Sequence, residues 1–477
     1  MIRTLEDKLK PFRDCFTREA AFKWFVIIVV AFMRRSDFLG ITSVIRDTML
    51  DGNCYESMLH FFYSSAWSLD ALRLKWYSIV KDSGFFLKRC NRCVLVGDGV
   101  KTSKEARFMP GVKKLFQESE DSSKGQLIWG HMFGAVGILL GECGKLSLPL
   151  KINIQDGIKA ASQWENSTIS GESHVVQIID SGFKAAKSFG KSIMLLDRYF
   201  LTVPALERLK MRNAEYSDSE NLLVLVTKAK SNCVAYRKPV SDQTKKRGRP
   251  KKKGESVKLK DFFNNSALFS DTTAYMYGKE EDVSYYMTDL LWGQGLYQEL
   301  RFVFVKYKGG NNILVSTDLT MSPVDIIELY ALRFKIENCF REFKQQFGGF
   351  CYHFWTTSLE KLNHYKRKEE PSPIEKITDP EKQKLILKKI RAMECFVFVS
   401  TVAMGLTQMI SLQQDLNGEM QKASYTRILP KNRVSEATVI NYFRNNFFGL
   451  LLKRPDSFIT QYIQEKQIAN SSTDRVA

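Results

Sequence analysis

The chain has 477 residues, 44% of them hydrophobic and 12% aromatic, which excludes a disordered chain and leaves room for about two to four domains. Lys and Arg outnumber Asp and Glu by 71 to 52, and the formal charge of +19 points to a polyanionic partner, nucleic acid before anionic membrane. The nine cysteines are scattered and odd in number, as in reduced thiols of a cytosolic protein and unlike a disulfide framework.

The opening MIRTLEDKLKPF carries acids and no apolar core, so it does not read as a signal peptide. Residues 1–88 read as helices with mixed aromatic and charged faces, a compact module expected to help grip DNA. Phe22 to Met33 is apolar but short and interrupted by Lys23. Phe396 to Leu412 is diluted by Ser400, Thr401, Thr407 and Gln408. Both read as core helices, since a membrane span needs about 20 strongly apolar residues. Cys90-x-x-Cys93 lacks a partner pair at zinc-finger spacing.

Residues 89–221 change character. Val94-Leu95-Val96-Gly97-Asp98 is a short apolar run that ends in an acid, and Ser192-Ile193-Met194-Leu195-Leu196-Asp197 repeats the pattern. Such runs are buried strands of an α/β sheet, and sites gather at their carboxyl ends, where both Asp are expected. Leu127 to Leu140 reads as further strand, and a helix is expected from His174 to Phe189. Residues 222–318 read as a mainly β insertion, with strands at 222–227, 300–307 and 311–316. Residues 319–363 carry a helix from about Pro323 to Phe347. The last region, 364–477, begins with a charged, Pro-broken segment and continues as helices near 392–412 and 435–452.

The 323–347 helix holds Tyr330, Arg333, Glu337 and Lys344. At 100° per residue the later three fall within about 60° of Tyr330, a polar face among Ile327, Phe334, Ile336, Phe340 and Phe343. Buried charge is costly unless it is paired or binds metal. Asp98, Asp197 and Glu337 together can hold two divalent cations about 4 Å apart for in-line displacement at phosphorus. Carboxylates suit Mg²⁺ or Mn²⁺. Arg333 can clamp a phosphate bidentately and Lys344 can act as a mobile point charge. The plainer alternative is a set of intrahelical pairs, Arg333 to Glu337 and Glu337 to Arg341.

The spacing of Tyr330, Arg333, Glu337 and Lys344 resembles the Y-(2)-R-(3)-E-(6)-K pattern of bacterial insertion-sequence transposases. The segment DGVKTSKEARFMPGVKKLFQESEDSS from Asp98 looks like their first catalytic block, and LLDRYF around Asp197 like the second. The resemblance runs from about 94 to 452. It implies a ribonuclease H-like catalytic core interrupted by a β-rich insertion, a catalytic and metal-binding DDE triad of Asp98, Asp197 and Glu337, and two Mg²⁺ or Mn²⁺ ions per site. It also implies that Tyr330, Arg333 and Lys344 bind transposon-end phosphates. The reaction implied is cut-and-paste transposition, often through a hairpin, by a homodimer on double-stranded DNA in the bacterial cytoplasm.

Two further features lie in the insertion. Lys246, Arg247 and Arg249, within residues 245–253, are similar to an AT-hook, whose Arg-Gly-Arg-Pro core enters narrow A·T-rich minor grooves; the alternative is a solvated basic loop. Trp292 is a candidate for stacking on a flipped base, as some relatives use an insertion-domain Trp, and equally a core or strand-edge Trp. His131 and His174 are left out of the catalytic set. Two rival functions stay open: a hydrolysis-only nuclease of the same fold, and a non-catalytic AT-hook DNA-binding protein derived from a transposase.

Overall fold

The computed structural model describes residues 1–38, 40–117, 125–142, 144–216, 220–239, 251–365, 370–413, 418, 420 and 434–467. Five helices come first: α1 (Ile2–Leu9), α2 (Glu19–Arg34), α3 (Thr42–Thr48), α4 (Cys54–Tyr63) and α5 (Leu69–Asp82). Eleven of the sixteen residues of α2 are buried, because its apolar run packs on the later helix Pro380–Leu412. Ser68 caps α5 by accepting from the Ala71 N–H, which fixes where that helix begins.

The strands follow: β1 (Lys88–Arg89), β2 (Arg92–Ser103), β3 (Lys113–Phe116), β4 (Leu127–Leu140) and β5 (Leu146–Ile154). Then come α6 (His174–Phe189), β6 (Ser192–Leu195), α7 (Val203–Ala214) and β7 (Leu223–Lys228). Across the centre of the sheet the order is β5, β4, β2, β6, β7. The first three pair antiparallel, and β2, β6 and β7 run parallel. The parallel strands are continuous apolar runs because both faces are covered, as at Ile193, Met194 and Leu195, all fully buried.

The sheet does not stop at β7. It continues through β13 (Gly310–Ser316), β12 (Gln298–Tyr307) and β11 (Lys279–Trp292), all antiparallel, with β10 (Ser270–Met276) and the short β8 (Val234–Tyr236) also on β11. The strand at the start of the stretch read as an insertion, β7, thus belongs to the parallel ladder with β6.

Directly paired residues share a face. Asp98 pairs with Ala135 and lies on one face; Gly97 and Gly99 lie on the other, towards α6. A Cβ at position 97 would meet Met194 Cε at 2.4 Å and Ile178 of α6 at 3.2 Å, so a side chain there would force its neighbours to shift. On the Asp98 face, Phe343 of α9 (Lys335–Gln345) meets Phe350 edge-on, and Phe350 packs at a tilt on Phe133 of β4.

After β13 the chain enters α8 (Pro323–Leu332), capped by Ser322 with Pro323 in its first turn. The single helix expected over 323–347 is two, α8 and α9, separated at Arg333 and Phe334. The long helix α10 (Pro380–Leu412) is long and apolar enough to cross a membrane, yet 94% of its apolar window is buried inside the protein. It is a core helix, lying along β5 and α2. The described chain ends with the helices Glu436–Leu452 and Phe458–Gln464.

Candidate active site

Val96 pairs with Leu195, and Leu195 with Val226. Asp98 and Asp197 each lie two residues past that last rung of the parallel ladder, Asp98 still within β2 and Asp197 in the turn that follows β6. Lys228, at the end of β7, stands two residues beyond Val226 in the same row. Asp98 is not at the end of its strand as expected. Past Val96, β2 leaves β6 but stays paired with β4 as far as Ser103, so the Asp marks the end of the parallel ladder and not of the strand.

Asp98 is largely buried, and its Oδ1 accepts from the Gly99 N–H at 2.7 Å. Burial raises its pKa to about 6; Asp197 and Glu337 push the same way, while the Gly99 N–H and Arg333 oppose them. Asp197 and Glu337 therefore both lie within electrostatic reach of Asp98. Arg333 bridges two of them: Nη1 donates to Asp98 Oδ2 at 3.3 Å, and Nη2 donates to Glu337 Oε1. The Asp197 carbonyl accepts from Thr227 Oγ1 at 2.9 Å, which fastens its loop to β7.

The helix break corrects the single-face reading of Tyr330, Arg333, Glu337 and Lys344. At the joint the bonds tighten to the three-residue type, Arg333 N–H to Tyr330 O at 3.0 Å, Ile336 N–H to Arg333 O at 3.2 Å and Glu337 N–H to Phe334 O at 3.0 Å. An ideal 100° step cannot be carried through such a joint. Arg333 turns in towards the sheet, while Phe334 packs on Tyr277 with ring centroids 5.7 Å apart. The β10–β11 hairpin also braces α8, the Tyr275 N–H donating to Glu328 Oε1 at 2.8 Å. Tyr330 remains on α8, and burial pushes its phenol well above the usual range. Lys344 lies near the end of α9, and its Nζ donates to Lys101 O on β2 at 3.1 Å.

Trp292 closes β11, half-buried and opposite Gln298, and is not drawn into the polar cluster. The following Gly293 has φ +87°, and a Cβ there would meet Val203 at 3.2 Å, so this turn lies on the segment that follows Asp197. Lys246, Arg247 and Arg249 fall outside the described residues.

Two residues near Asp197 escaped the sequence reading. Arg198 and Lys228 join Lys230 and Lys260 around a pocket of about 520 Å³ beside Asp197, with Asp261 as its acid. No local signal marks Lys228; only the register does. His174 opens α6 against Gly99, where a Cβ would meet its Nε2 at 2.9 Å. Its Nδ1 hydrogen-bonds Gln155 Oε1, its ring packs 5.4 Å from Phe200, and burial lowers its pKa to about 4. His131 is a buried brace, with Nδ1 2.6 Å from the Tyr352 hydroxyl and Nε2 2.8 Å from Pro110 O.

Three carboxylates are donors of the kind a hard divalent cation takes. Among the described residues no three His, Cys, Asp or Glu side chains stand together closely enough to hold an ion. Arg333 instead bridges Asp98 and Glu337. The donor set fits a cation in kind, and that bridge must open for one to sit between them.

Acids near the end of a parallel ladder with a guanidinium between two of them are groups that can serve phosphoryl transfer when metal is bound. Residues 173–352, less than half of the chain, match the family model described as a transposase DDE domain. The match contains Asp197, Tyr330, Arg333, Glu337 and Lys344, and Asp98 lies upstream of it. No curated protein matches the chain.

Proposed function

We propose that the protein is a metal-dependent DNA transposase of the Y-(2)-R-(3)-E-(6)-K group that binds terminal inverted repeats and cuts and rejoins them. The observation that carries this is the meeting of Asp98 and Asp197 just past the end of the β2–β6 ladder, with Glu337 tied to Asp98 through Arg333. The order β5, β4, β2, β6, β7 supports a ribonuclease H-like core, and the antiparallel strands inserted between β7 and α8 support an insertion.

In this reading Asp98, Asp197 and Glu337 would hold two Mg²⁺ or Mn²⁺ ions, which when bound supply an activated water and a charge sink for the leaving oxygen. Arg333 moves from the carboxylates to the scissile phosphate, where its fork matches two phosphate oxygens. Lys344 holds the backbone farther along α9, and Tyr330 supports Arg333 from α8. In the first step the water oxygen bonds to phosphorus and the phosphorus bond to the 3′ oxygen breaks, leaving a 3′-hydroxyl and a 5′-phosphate. In the second, that hydroxyl attacks a target phosphodiester and displaces its 3′ oxygen. We further read the protein as a homodimer on DNA in the bacterial cytoplasm, with Trp292 near the cleaved end and the AT-hook-like segment on A·T-rich duplex.

The test is incubation of the full chain with labelled duplex taken from inverted repeats flanking its gene, with Mn²⁺ or Mg²⁺. Metal-dependent nicking that is lost in Asp98→Ala is expected. Equal behaviour of wild type and variant, without metal-dependent cleavage, overturns the enzyme reading and leaves a DNA-binding protein. Cleavage without joining of the cut ends to a target plasmid leaves a nuclease.

A further inference from the structure

The sheet face opposite Asp98 carries a second polar site. By register Lys151 pairs with Val136, and Asn153 with Gly134, on the side covered by α6. There β5, α6, the 165–170 loop and the first turns of α5 and α10 enclose a cleft of about 850 Å³. It is separated from the triad by the sheet itself, so it takes no part in the site described above.

The inner carboxylates of the cleft are already committed. Arg73 donates to Asp70 at 3.2 Å and to Glu394 at 3.3 Å, and Glu394 also accepts from the Ile154 N–H at 3.2 Å. Asp180 accepts from Arg208 at 3.2 Å and from Arg212 at 2.8 Å. Glu165 and Glu381 line the cleft too, but as exposed residues. Lys151 is different. Its Nζ donates to the neutral Ser181 hydroxyl at 3.1 Å, and it makes no ion pair among the described residues. Burial first, then Arg73 and Lys184, draw its ammonium down to about 8, while Glu394 and Asp70 oppose them.

The cleft is also lined by the exposed Lys184, Lys384 and Lys388, so its wall carries further cations that face solvent. The N-terminal ends of α5 and α10 add partial positive charge to the same space.

We propose that this cleft binds a phosphate group, held by Lys151 and Lys184. The volume suits a mononucleotide or a short run of DNA backbone; the phosphate is the shared chemistry.

The test uses the full-length protein, titrated with sodium pyrophosphate against sodium chloride of equal ionic strength and followed by calorimetry and thermal unfolding. Pyrophosphate should bind and raise the unfolding midpoint. Lys151→Met and the exposed-site variant Lys184→Ala should each weaken binding about tenfold, the usual size of one lost charge-assisted contact. Lys184→Ala keeps the test decisive if Lys151→Met folds poorly. Absence of stabilisation beyond chloride, or unchanged affinity in the variants, overturns the site. Parallel titrations with AMP and with a random duplex identify the source. Weakened AMP binding alone marks a small ligand, and weakened duplex binding marks the DNA backbone. If the variants alter neither, the proposal fails, whatever the fate of the transposase reading.

Discussion

Arg333 ties the site together, because one guanidinium holds Asp98 from the sheet and Glu337 from α9. Arg333→Ala leaves those carboxylates without their common cation and removes the phosphate fork. The expected outcome is a loss of end-DNA affinity of about tenfold and a larger loss of cleavage rate, measured by gel shift and single-turnover kinetics. Arg333→Lys should recover part of the binding and little of the rate, since a point charge cannot span two oxygens; full recovery would show that only charge matters.

His131 makes a separate prediction about stability. Burial lowers its pKa to about 3 from the ordinary 6.5, so between those values the unfolded chain binds the extra proton. Stability therefore rises with pH through that window and is lost as pH falls through it, by roughly a few kcal/mol. Urea unfolding of wild type at pH 7 and pH 4.5 should show this drop, and His131→Asn should show a smaller one. The Asp residues were legible because apolar runs ending in an acid are a local pattern. Lys228 and Arg198 were not, because their places depend on strand register.

At the scale of elements, α6 was legible to the residue: its apolar period and the Ser173 cap are both local. The α8–α9 joint was hidden, since Leu332-Arg333-Phe334-Lys335 contains neither Gly nor Pro. What breaks the helix is tertiary, Arg333 drawn to Asp98 and Phe334 drawn to Tyr277. The strand pair that presents Asp98 depends on close backbone approach. A Cβ at Gly130 would lie 2.0 Å from the Thr102 carbonyl oxygen, so Gly130→Ala must part β4 from the end of β2. A destabilisation of about 2 kcal/mol or more is expected in urea unfolding, with cleavage impaired even where the protein remains folded. Unchanged stability would mean that this stretch of the pairing is loose.

Across the whole molecule, one sheet runs from β3 to β9 (Ser256–Lys258), so the strands of residues 270–316 extend the sheet that carries the acids. The sequence suggested a separate β insertion, because turn-bounded strands show where a sheet is interrupted but not what they pair with. The net charge of +19 fits a partner that is a long polyanion. Arg249→Ala is expected to lower affinity most on A·T-rich duplex and to spare cleavage of a bound end; equal loss on G·C-rich DNA would leave only a generic basic segment.

The central claim is that Asp98, Asp197 and Glu337 act as one metal-holding unit on DNA. Groups that act as a unit are grossly non-additive, one loss costing nearly as much as all. The most direct measurement is the single-turnover rate of Mn²⁺-dependent end cleavage for Asp98→Ala, Asp197→Ala, Glu337→Ala and the triple variant, each checked for folding. All four should fall to the same background. A single variant that keeps the wild-type rate would contradict the account.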